Sequence, residues 1–438
     1  MDRIINELLK GRKSCHCGLK HECSIDNVII EKNAINKIPS LLNGYRYKNI
    51  VLVADNNTYK VCGQRIYKLL VSSDFNVVNL VYQRDDLLIP NEEAIEELSN
   101  EVSADTDVII GIGSGVINDL CKYVSFKMNL PYIIVATAPS MDGYASVGAA
   151  MIIKNMKITY NAHVPKAIIS DTDILKEAPM DLIRAGFGDM VGKLSALNDW
   201  KLSNIITDEV ICDEVYDLVM NAVRICIYDA DGIANLYEES VKRLMEGLVI
   251  VGIAKSYMGN SRPASGSEHH LSHFYEVINI MKGKPYFLHG IDVAFSTVVT
   301  CALRHKLASS EPIDFEYSFD GEQWEKNIYN IYGEAAEGVI SLQKRLGLYS
   351  NKNFKKITDN WDKIREVLCE VPSYLDIVEL IKIVGLNMKS FYDMYDEEMI
   401  INSILYAKDL KDRYTLFWLL QDVGLLERAS DGFAKDIL

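Results

Sequence analysis

Four of the chain's eight histidines lie in one stretch, between residues 261 and 290. His269, His270 and His273 fall within five residues, and His289 follows twenty positions after His269. Neutral imidazole is the commonest metal ligand in proteins, and residues four apart share one face of a helix. Two imidazoles and one carboxylate would make a three-ligand site with an open position, which is typical of a catalytic metal. Ordinary hydrogen-bonded histidines at a helix start are the alternative.

A candidate carboxylate lies between two helical stretches, in the segment Gly-Phe-Gly-Asp at residues 186–189. Asp189 would complete a three-ligand site, although a helix N-cap is an equally ordinary role for it. Lys193 comes one helical turn later and either neutralises Asp189 or faces a substrate. Arg262 precedes the histidines and, with the backbone donors beside it, is suited to a phosphate. Its default alternative is a surface ion pair.

A glycine-rich loop, Gly-Ile-Gly-Ser-Gly at residues 111–115, joins an apolar strand to a helix. Glycine lets backbone N–H groups approach a phosphate closely, and a helix N-terminus carries partial positive charge. We therefore expect Gly113, Ser114 and Gly115 to hold a diphosphate, although tight strand-to-helix turns use glycine for other reasons. The loop departs from the standard dinucleotide fingerprint, because it follows a later strand than the first and no acid lies about twenty residues beyond it.

Polar side chains follow two other apolar strands, at the end where a parallel sheet binds ligands. Asp55 ends the strand NIVLVAD, where a carboxylate could bind an adenosine ribose and favour NAD over NADP. A helix N-cap is the alternative for Asp55. Thr137, Ser140 and Asp142 follow the strand PYIIVA and would face the cofactor. A plain turn would also account for them.

The elements that carry these residues change in kind along the chain. Apolar strands alternate with amphipathic helices, with strands expected near residues 25–34, 49–55, 76–82, 106–113 and 131–136. Strands that are apolar on both faces indicate a parallel sheet covered on both sides. Beyond about residue 173 the helical period continues without a convincing strand. We expect an α/β nucleotide-binding domain over residues 1–172 and an all-helical metal- and substrate-binding domain over residues 173–438.

Composition narrows the class of protein. A net charge of −15 over 438 residues argues against nucleic-acid or anionic-membrane binding. No apolar run approaches the length of a membrane span, and the start lacks the apolar core of a signal peptide, so we expect a cytoplasmic protein. The nine cysteines suit reduced thiols. A cluster of Cys15, His16 and Cys17 with His21 and Cys23 could hold zinc, although Cys-x-Cys is not the usual spacing of a structural site.

Five segments in order resemble signature segments of the sn-glycerol-1-phosphate dehydrogenase family, and in particular of its bacterial branch. They are TAPSMDGYAS, SDTDIL, AGFGDMVGKLSALNDWKLS, SRPASGSEHHLSH and LHGIDVA. The family belongs to a superfamily that includes glycerol dehydrogenase and dehydroquinate synthase. The resemblance implies a Rossmann-like domain followed by an all-helical domain. It also implies reduction of dihydroxyacetone phosphate to sn-glycerol 1-phosphate with NAD(H) or NADP(H), in phospholipid biosynthesis, by a homodimer.

Carried over to this chain, the resemblance assigns roles residue by residue. One divalent metal ion would be held by Asp189, His269 and His289. The cofactor would be held by Asp55, Gly113, Ser114, Gly115, Asp119, Thr137 and Ser140. Asp142 would contact the polyol substrate, His273 would lie near the reacting centre as a candidate for proton delivery, and Lys193 or Arg262 would meet the phosphate. Because Lys193 stands where some iron-dependent relatives have histidine, the resemblance favours zinc or nickel over iron.

Three other functions remain open from the sequence. A glycerol dehydrogenase would perform the same chemistry on unphosphorylated glycerol. A dehydroquinate synthase would need a denser set of basic residues and a different histidine region. A non-catalytic nucleotide- or metal-binding relative is disfavoured, because all three proposed metal ligands are present.

Overall fold

The computed structural model describes residues 1–11, 14–84, 87–153, 156–311, 319–350 and 352–437. The chain forms two compact units. Unit 1 comprises Met1–Phe187 and Arg224–Asn260, and unit 2 comprises Gly188–Val223 and Ser261–Leu438. The sequence-based boundary near residue 172 follows the last strand of the sheet. The compact units divide instead within two helices, Met180–Thr207 and Asp213–Tyr228. The helix at Glu238–Met258 belongs to unit 1, where it packs with N-terminal elements.

The strands of the described chain all lie in unit 1. They are β1 (Asn27–Glu31), β2 (Asn49–Asp55), β3 (Asn76–Tyr82), β4 (Val108–Gly113), β5 (Tyr132–Ala136), β6 (Gly148–Ile153), β7 (Met156–Asn161) and β8 (Ala167–Asp171). Six of them form a parallel sheet in the order β1-β8-β5-β4-β2-β3. Leu52, Ile110 and Ile133 at its centre are fully buried. The predicted fold class, a parallel α/β part followed by a helical part, is confirmed.

The order of the strands reverses beside β2. From β2 the chain moves outward to β3, then returns past β2 to β4 and continues to β5 on the other side. The carboxyl ends of the strands at such a reversal leave a crevice in which open α/β sheets bind ligands. Asp55 ends β2, Gly113 ends β4, and Thr137 directly follows β5. The register pairs Gly113 with Ala136, so these residues share one edge of the sheet.

Strands β6 and β7 form a separate antiparallel hairpin, which the sequence patterns do not predict. It is fastened to unit 1 by side chains that are distant along the chain. The carboxylate of Asp119 accepts a hydrogen bond from the N–H of Ala150 at 3.2 Å, and the Lys122 ammonium donates to the carbonyl of Gly148 at 2.9 Å. Its position therefore depends on tertiary contacts that local periodicity does not report.

The other regular elements of the described chain are helices. They are α1 (Asp2–Leu8), α2 (Ile38–Tyr45), α3 (Asn56–Thr58), α4 (Gln64–Ser72), α5 (Glu92–Glu101), α6 (Gly115–Lys127), α7 (Thr172–Leu175), α8 (Met180–Thr207), α9 (Asp213–Tyr228), α10 (Ala230–Ala234), α11 (Glu238–Met258), α12 (Ser267–Lys282), α13 (His289–Ala308), α14 (Gly321–Tyr332), α15 (Ala336–Leu346), α16 (Phe354–Asp359), α17 (Trp361–Leu368), α18 (Tyr374–Ile383), α19 (Met388–Met394), α20 (Glu397–Tyr406), α21 (Leu416–Asp422) and α22 (Leu426–Ile437). Short helical turns occur at Ala34–Lys37, Tyr59–Gly63, Asp142–Ala145, Gly333–Ala335, Leu348–Ser350 and Ala407–Leu410. Among the described residues, none of these helices combines the length and apolar composition that a membrane span requires.

Candidate active site

Three side chains from three helices of unit 2 converge on one point. Asp189 lies on α8, His269 on the first turn of α12, and His289 at the start of α13. Each offers one ligand atom, and the three atoms lie within 4.8 Å of one another. The rings of His269 and His289 are 5.1 Å apart. Two nitrogen donors and one oxygen donor at these separations fit a single divalent ion.

Glycines let the helices of this site approach closely. A Cβ at Gly188, beside Asp189, would overlap the carbonyl oxygen of Gly290, which is the neighbour of His289. A Cβ at Gly192, one turn further along α8, would overlap the side chain of Val293 on α13. Helices α8 and α13 can therefore bring their ligands together only because these positions carry no side chain.

Two further side chains orient the imidazoles. The Nδ1 atom of His269 lies 2.6 Å from Oε1 of Glu268, which also accepts a hydrogen bond from the N–H of Gly266 at 2.8 Å. The opposite nitrogen, Nε2, therefore faces Asp189, whose Oδ1 is 3.6 Å away. His289 is held through Nδ1, which lies 3.2 Å from the hydroxyl of Ser272. A carboxylate behind a histidine is the usual means of fixing the tautomer of a metal ligand.

The balance of charges at the site is compatible with a bound cation. Burial alone would raise the pKa of Asp189, but the Lys193 ammonium and the imidazoles of His269 and His289 hold that pKa well below its usual range. Burial would lower the pKa of His269, whereas hydrogen bonds to Asp189 and Glu268 raise it above its ordinary value. Burial would raise the pKa of Glu268, but the hydrogen bond to His269, the charge of His269, and hydrogen bonds from Ser195 and the N–H of Gly266 together lower it. The Lys193 ammonium thus pairs with Asp189 and Glu268 pairs with His269, so a proton on His269 or a metal ion can supply the second positive charge.

A buried ion pair fixes the helices around the site. Arg304 on α13 lies 2.7 Å from the carboxylate of Asp199 on α8, and both side chains are fully buried. Asp199 also accepts hydrogen bonds from the backbone N–H groups of Ser267, at 2.6 Å, and Leu416, at 2.9 Å. Because Ser267 begins α12, this single carboxylate ties together the three helices that carry the candidate ligands.

Lys193, His273 and Arg262 are the other predicted residues of unit 2. The Lys193 ammonium is bonded to Asp189, which was the neutralising alternative for it. The ring of His273 lies 5.2 Å from His289 and 6.3 Å from His269, so it borders the ligands. Arg262 is buried and donates to Glu209 at 2.6 Å and 3.0 Å and to the carbonyl of Tyr414 at 2.7 Å. A phosphate would have to share the Arg262 guanidinium with Glu209.

In unit 1 the glycine loop connects β4 to α6. A Cβ at Gly113 would lie 2.7 Å from Cβ of Ile117, so the residue must be glycine for α6 to pack this closely on the strand. Ser114 is the N-cap of α6 and makes no side-chain capping bond. At Gly115 the nearest atom to a Cβ would be Met141 Sδ, at 3.4 Å. The loop thus presents a helix N-terminus at the ligand edge of the sheet.

The remaining nucleotide candidates already have structural partners. The Oδ1 atom of Asp55 accepts the N–H groups of Asn57 and Thr58, each at 2.8 Å, so Asp55 is a helix N-cap. This was its alternative role, and it leaves the prediction of a ribose contact untested. Thr137 donates its N–H to the carbonyl of Gly113 at 3.1 Å.

Two further predicted side chains after β5 and on α6 are also engaged within unit 1. The Ser140 hydroxyl is 3.5 Å from that of Tyr144. Asp119 holds the β6 strand through the N–H of Ala150. Both lie near the carboxyl ends of β4 and β5, where the sequence places a cofactor.

Asp142 has a partner that the sequence did not reveal. Its Oδ1 atom lies 2.5 Å from the ammonium group of Lys255, which is on α11, also in unit 1. Glu268 was likewise missed, although it directly precedes His269 in the sequence. The role of Glu268 could have been predicted from its position directly before a predicted ligand histidine. For Lys255, more than a hundred residues from Asp142, there was no local signal.

Sequence comparisons relate the chain to one class of dehydrogenase. Residues 29–179 match the family model for iron-containing alcohol dehydrogenase. The glycerol-1-phosphate dehydrogenase [NAD(P)+] of Halalkalibacterium halodurans is 32% identical over 425 residues, covering 96% of this chain and 99% of the relative. The enzyme of the same name from Geobacillus thermodenitrificans is 30% identical, covering 98% of this chain and 100% of the relative.

Solved structures show the same fold at low sequence identity. A probable glycerol dehydrogenase from Sinorhizobium meliloti 1021 has a TM-score of 0.61 and 15% identity, covering 93% of this chain and 98% of the other. An iron-containing alcohol dehydrogenase from Thermococcus thioreducens has a TM-score of 0.61 and 14% identity, covering 93% and 99%. The architecture expected from the sequence is therefore found among known dehydrogenases.

Proposed function

This chain belongs to the glycerol-1-phosphate dehydrogenase family, and from that premise we propose that it reversibly reduces dihydroxyacetone phosphate to sn-glycerol 1-phosphate with NADH or NADPH. The observation that carries the proposal is the convergence of Asp189, His269 and His289, with Glu268 behind His269. The near full-length similarity to relatives named glycerol-1-phosphate dehydrogenase [NAD(P)+] supports this substrate over an unphosphorylated one.

Asp189, His269 and His289 would hold one divalent metal ion. A bound ion supplies a Lewis acid that polarises a carbonyl and stabilises the negative charge developing on its oxygen during reduction. The fit rests on two nitrogen donors and one buried carboxylate oxygen, whose positions lie within 4.8 Å of one another. The family resemblance favours zinc or nickel, because Lys193 stands where some iron-dependent relatives have a further histidine. Nitrogen and oxygen donors accept several divalent ions, so the choice between zinc and nickel requires measurement.

The nucleotide is assigned to the carboxyl edge of the sheet in unit 1. Its diphosphate would be bound at the α6 N-terminus by Gly113, Ser114 and Gly115, where glycines allow close backbone approach. The further contacts are assigned to Asp55, Asp119, Thr137 and Ser140. The reversal of strand order beside β2 supports this placement, since open α/β sheets bind ligands at such a point.

The substrate residues are assigned as the family resemblance implies. Asp142, held by Lys255, would accept hydrogen bonds from the substrate's hydroxyl group. His273, which borders the metal ligands, would return a proton to the alkoxide oxygen after hydride transfer. Lys193 or Arg262 would meet the phosphate, and each would then share its charge with the carboxylate it already binds.

The compartment is proposed from the sequence composition, and the assembly from the family resemblance. We assign the protein to the cytoplasm, where the free state of its nine cysteines is expected. We assign it as a homodimer, with a solution mass of twice the 49.4 kDa of one chain. The product class suits phospholipid biosynthesis.

The proposed function is tested by comparing substrates and analysing the product. The metal-loaded protein is assayed with dihydroxyacetone phosphate and with dihydroxyacetone, and the configuration of the phosphorylated product is determined with stereospecific enzymes. We expect efficient reduction of the phosphate ester only, and a product that is entirely the 1-phosphate enantiomer. Equal turnover of both substrates would instead identify a glycerol dehydrogenase, and sn-glycerol 3-phosphate would overturn the assignment.

A further inference from the structure

A second group of metal-binding side chains lies in the N-terminal segment of unit 1 and has no part in the proposed reaction. Cys15, Cys17 and His21 each offer one ligand atom, and these atoms lie within 4.8 Å of one another. The two cysteines are half-buried and His21 is buried. Thiolate and imidazole are the donors that structural zinc prefers. The group therefore has the chemistry of a zinc site, although the spacing of its cysteines is unusual.

The orientation of His21 is that of a metal ligand. Its Nε2 atom faces the thiol group of Cys17, with Sγ 3.5 Å away. Its Nδ1 atom lies 3.3 Å from the backbone carbonyl of Tyr257, so that nitrogen carries the proton. The His21 ring also stacks on the Tyr257 ring, with centroids 5.1 Å apart. A ligand histidine typically donates its other N–H to a carbonyl in this way, which fixes the ring and directs the second nitrogen at the ion.

The backbone around these residues is shaped to bring the donors together. The N–H of Gly18 bonds to the carbonyl of Cys15 at 3.0 Å, which closes a tight turn that carries both cysteines. Gly18 has a φ of 79°, in the left-handed region that favours glycine. Gly11 has a φ of 64°, and a Cβ there would lie 2.8 Å from the carbonyl oxygen of His21. Glycines at both positions therefore let the segment fold onto itself.

We propose that Cys15, Cys17 and His21 bind a zinc ion that is separate from the catalytic metal and has a structural role. The ion would fasten the N-terminal segment to the end of α11 through His21 and Tyr257. Helix α11 also carries Lys255, two residues before Tyr257, and Lys255 holds Asp142. A tetrahedral zinc ion has one more position, which a further sulfur or oxygen donor would fill.

Cobalt substitution tests this proposal through a spectroscopic signature of sulfur ligands. The protein is stripped of metal, reloaded with Co²⁺ and examined by absorption spectroscopy. The catalytic trio has no sulfur, so thiolate-to-cobalt charge transfer in the near ultraviolet reports only the site proposed here. We expect this band in the wild-type protein and in His269→Ala/His289→Ala, and its loss in Cys15→Ser/Cys17→Ser. Absence of the band from the reloaded wild-type protein overturns the proposal.

Zinc content and two neighbouring variants complete the test. His269→Ala/His289→Ala should keep one zinc ion per chain as purified, because only the catalytic ion is lost. Cys15→Ser/Cys17→Ser should lose one zinc ion and unfold at a lower temperature. His16→Ala, an exposed residue between the two cysteines, and Cys23→Ser, outside the three donors, should keep the band and the zinc. If Cys15→Ser/Cys17→Ser does not fold, His21→Gln should weaken the band, and an unchanged band in His21→Gln would contradict the role of His21.

Discussion

At the scale of single residues, some members of the candidate metal site could be predicted from the sequence and others could not. The spacing of His269, His273 and His289 could indicate a metal from residue type alone. Asp189 was harder to identify, because the sequence predicts a break between helices at residues 186–189, where a lone aspartate is as often a cap. That prediction was wrong, since Asp189 lies inside the continuous helix α8. The family resemblance singled Asp189 out. Glu268 emerged only from the structure, where its carboxylate lies behind His269. Such roles depend on the side-chain direction within a packed helix, which no local pattern records.

We expect Glu268→Gln to weaken metal binding while leaving the three ligands in place. The carboxylate fixes the tautomer of His269 and increases its basicity, and losing such a partner typically costs 10- to 100-fold in metal affinity. Competition with a chromophoric chelator, in the Cys15→Ser/Cys17→Ser background that lacks the second site, measures the dissociation constant of this ion. Asp422→Asn is the matched control, because Asp422 is a buried carboxylate of unit 2 that bonds to Tyr414 at 2.8 Å. Equal metal affinity in Glu268→Gln and wild type would remove Glu268 from the site.

We expect Lys193→Met to destabilise the metal-free protein much more than the metal-loaded one. Without metal, the variant leaves the Asp189 carboxylate buried without its ammonium partner. Such a loss typically lowers the free energy of unfolding by about 3–5 kcal/mol. A bound divalent ion would replace much of the lost positive charge. The free energy of unfolding in urea, measured in both states, tests this difference.

Lys201→Met supplies the control for that experiment. Lys201 lies on the same helix and pairs with Glu370 at 2.7 Å, but both side chains are partly exposed. Its loss should cost no more than about 1 kcal/mol, with or without metal. If Lys193→Met lost the same stability in both states, the ion would not lie beside Asp189.

At the scale of elements, the sheet was largely predictable and the hairpin was not. Strands β2 and β3 have the bounds that the sequence predicts, because each is a long apolar run bounded by polar residues. Strands β6, β7 and β8 were missed. The hairpin is held by Asp119 and Lys122 from α6, so its formation depends on contacts from another part of the chain. The hydrophobic periodicity of a sequence indicates which face of a strand or helix is buried. It does not indicate which distant side chain completes the hydrogen bonds of a strand.

The glycine loop offers a matched pair of substitutions at this scale. We expect Gly113→Ala to lower stability by about 1–3 kcal/mol, because its Cβ would press on Ile117 at 2.7 Å and overpack the contact between β4 and α6. We expect Gly115→Ala to be nearly neutral for stability, since its Cβ would make an ordinary contact at 3.4 Å. Urea unfolding and NADH titration measure both variants. Equal stability of the two would show that α6 does not pack on β4 as described.

At the scale of the whole molecule, the net charge of −15 limits the affinity for anions. The division into two units determines which helices pack together. The acidic balance predicts no general affinity for phosphate, so an anionic substrate must depend on a few cations near the site. The sequence anticipated a helical second half, but not that α11 would pack with unit 1. That packing matters, because α11 brings Lys255 to Asp142.

The two units should respond to different ligands in hydrogen exchange. We expect Zn²⁺ or Ni²⁺ added to stripped Cys15→Ser/Cys17→Ser protein, which lacks the second site, to protect backbone amides of α8 beyond Gly188 and the first turns of α12 and α13, because a ligand stabilises what it binds. NADH should instead protect the β4–α6 loop and the ends of β2 and β5. Peptide-level mass spectrometry separates these segments. Protection by metal confined to unit 1 would contradict the assignment of the ion.

The central claim is that one ion, held by Asp189, His269 and His289, is required for carbonyl reduction. The most direct measurement is a titration of stripped Cys15→Ser/Cys17→Ser protein with Zn²⁺ or Ni²⁺, recording bound metal and reduction of dihydroxyacetone phosphate in the same samples. We expect activity to rise in proportion to bound metal and to saturate at one ion per chain, whereas the same protein carrying His289→Ala gains neither. Full activity in the metal-free protein, or in the His289→Ala protein, would contradict the claim.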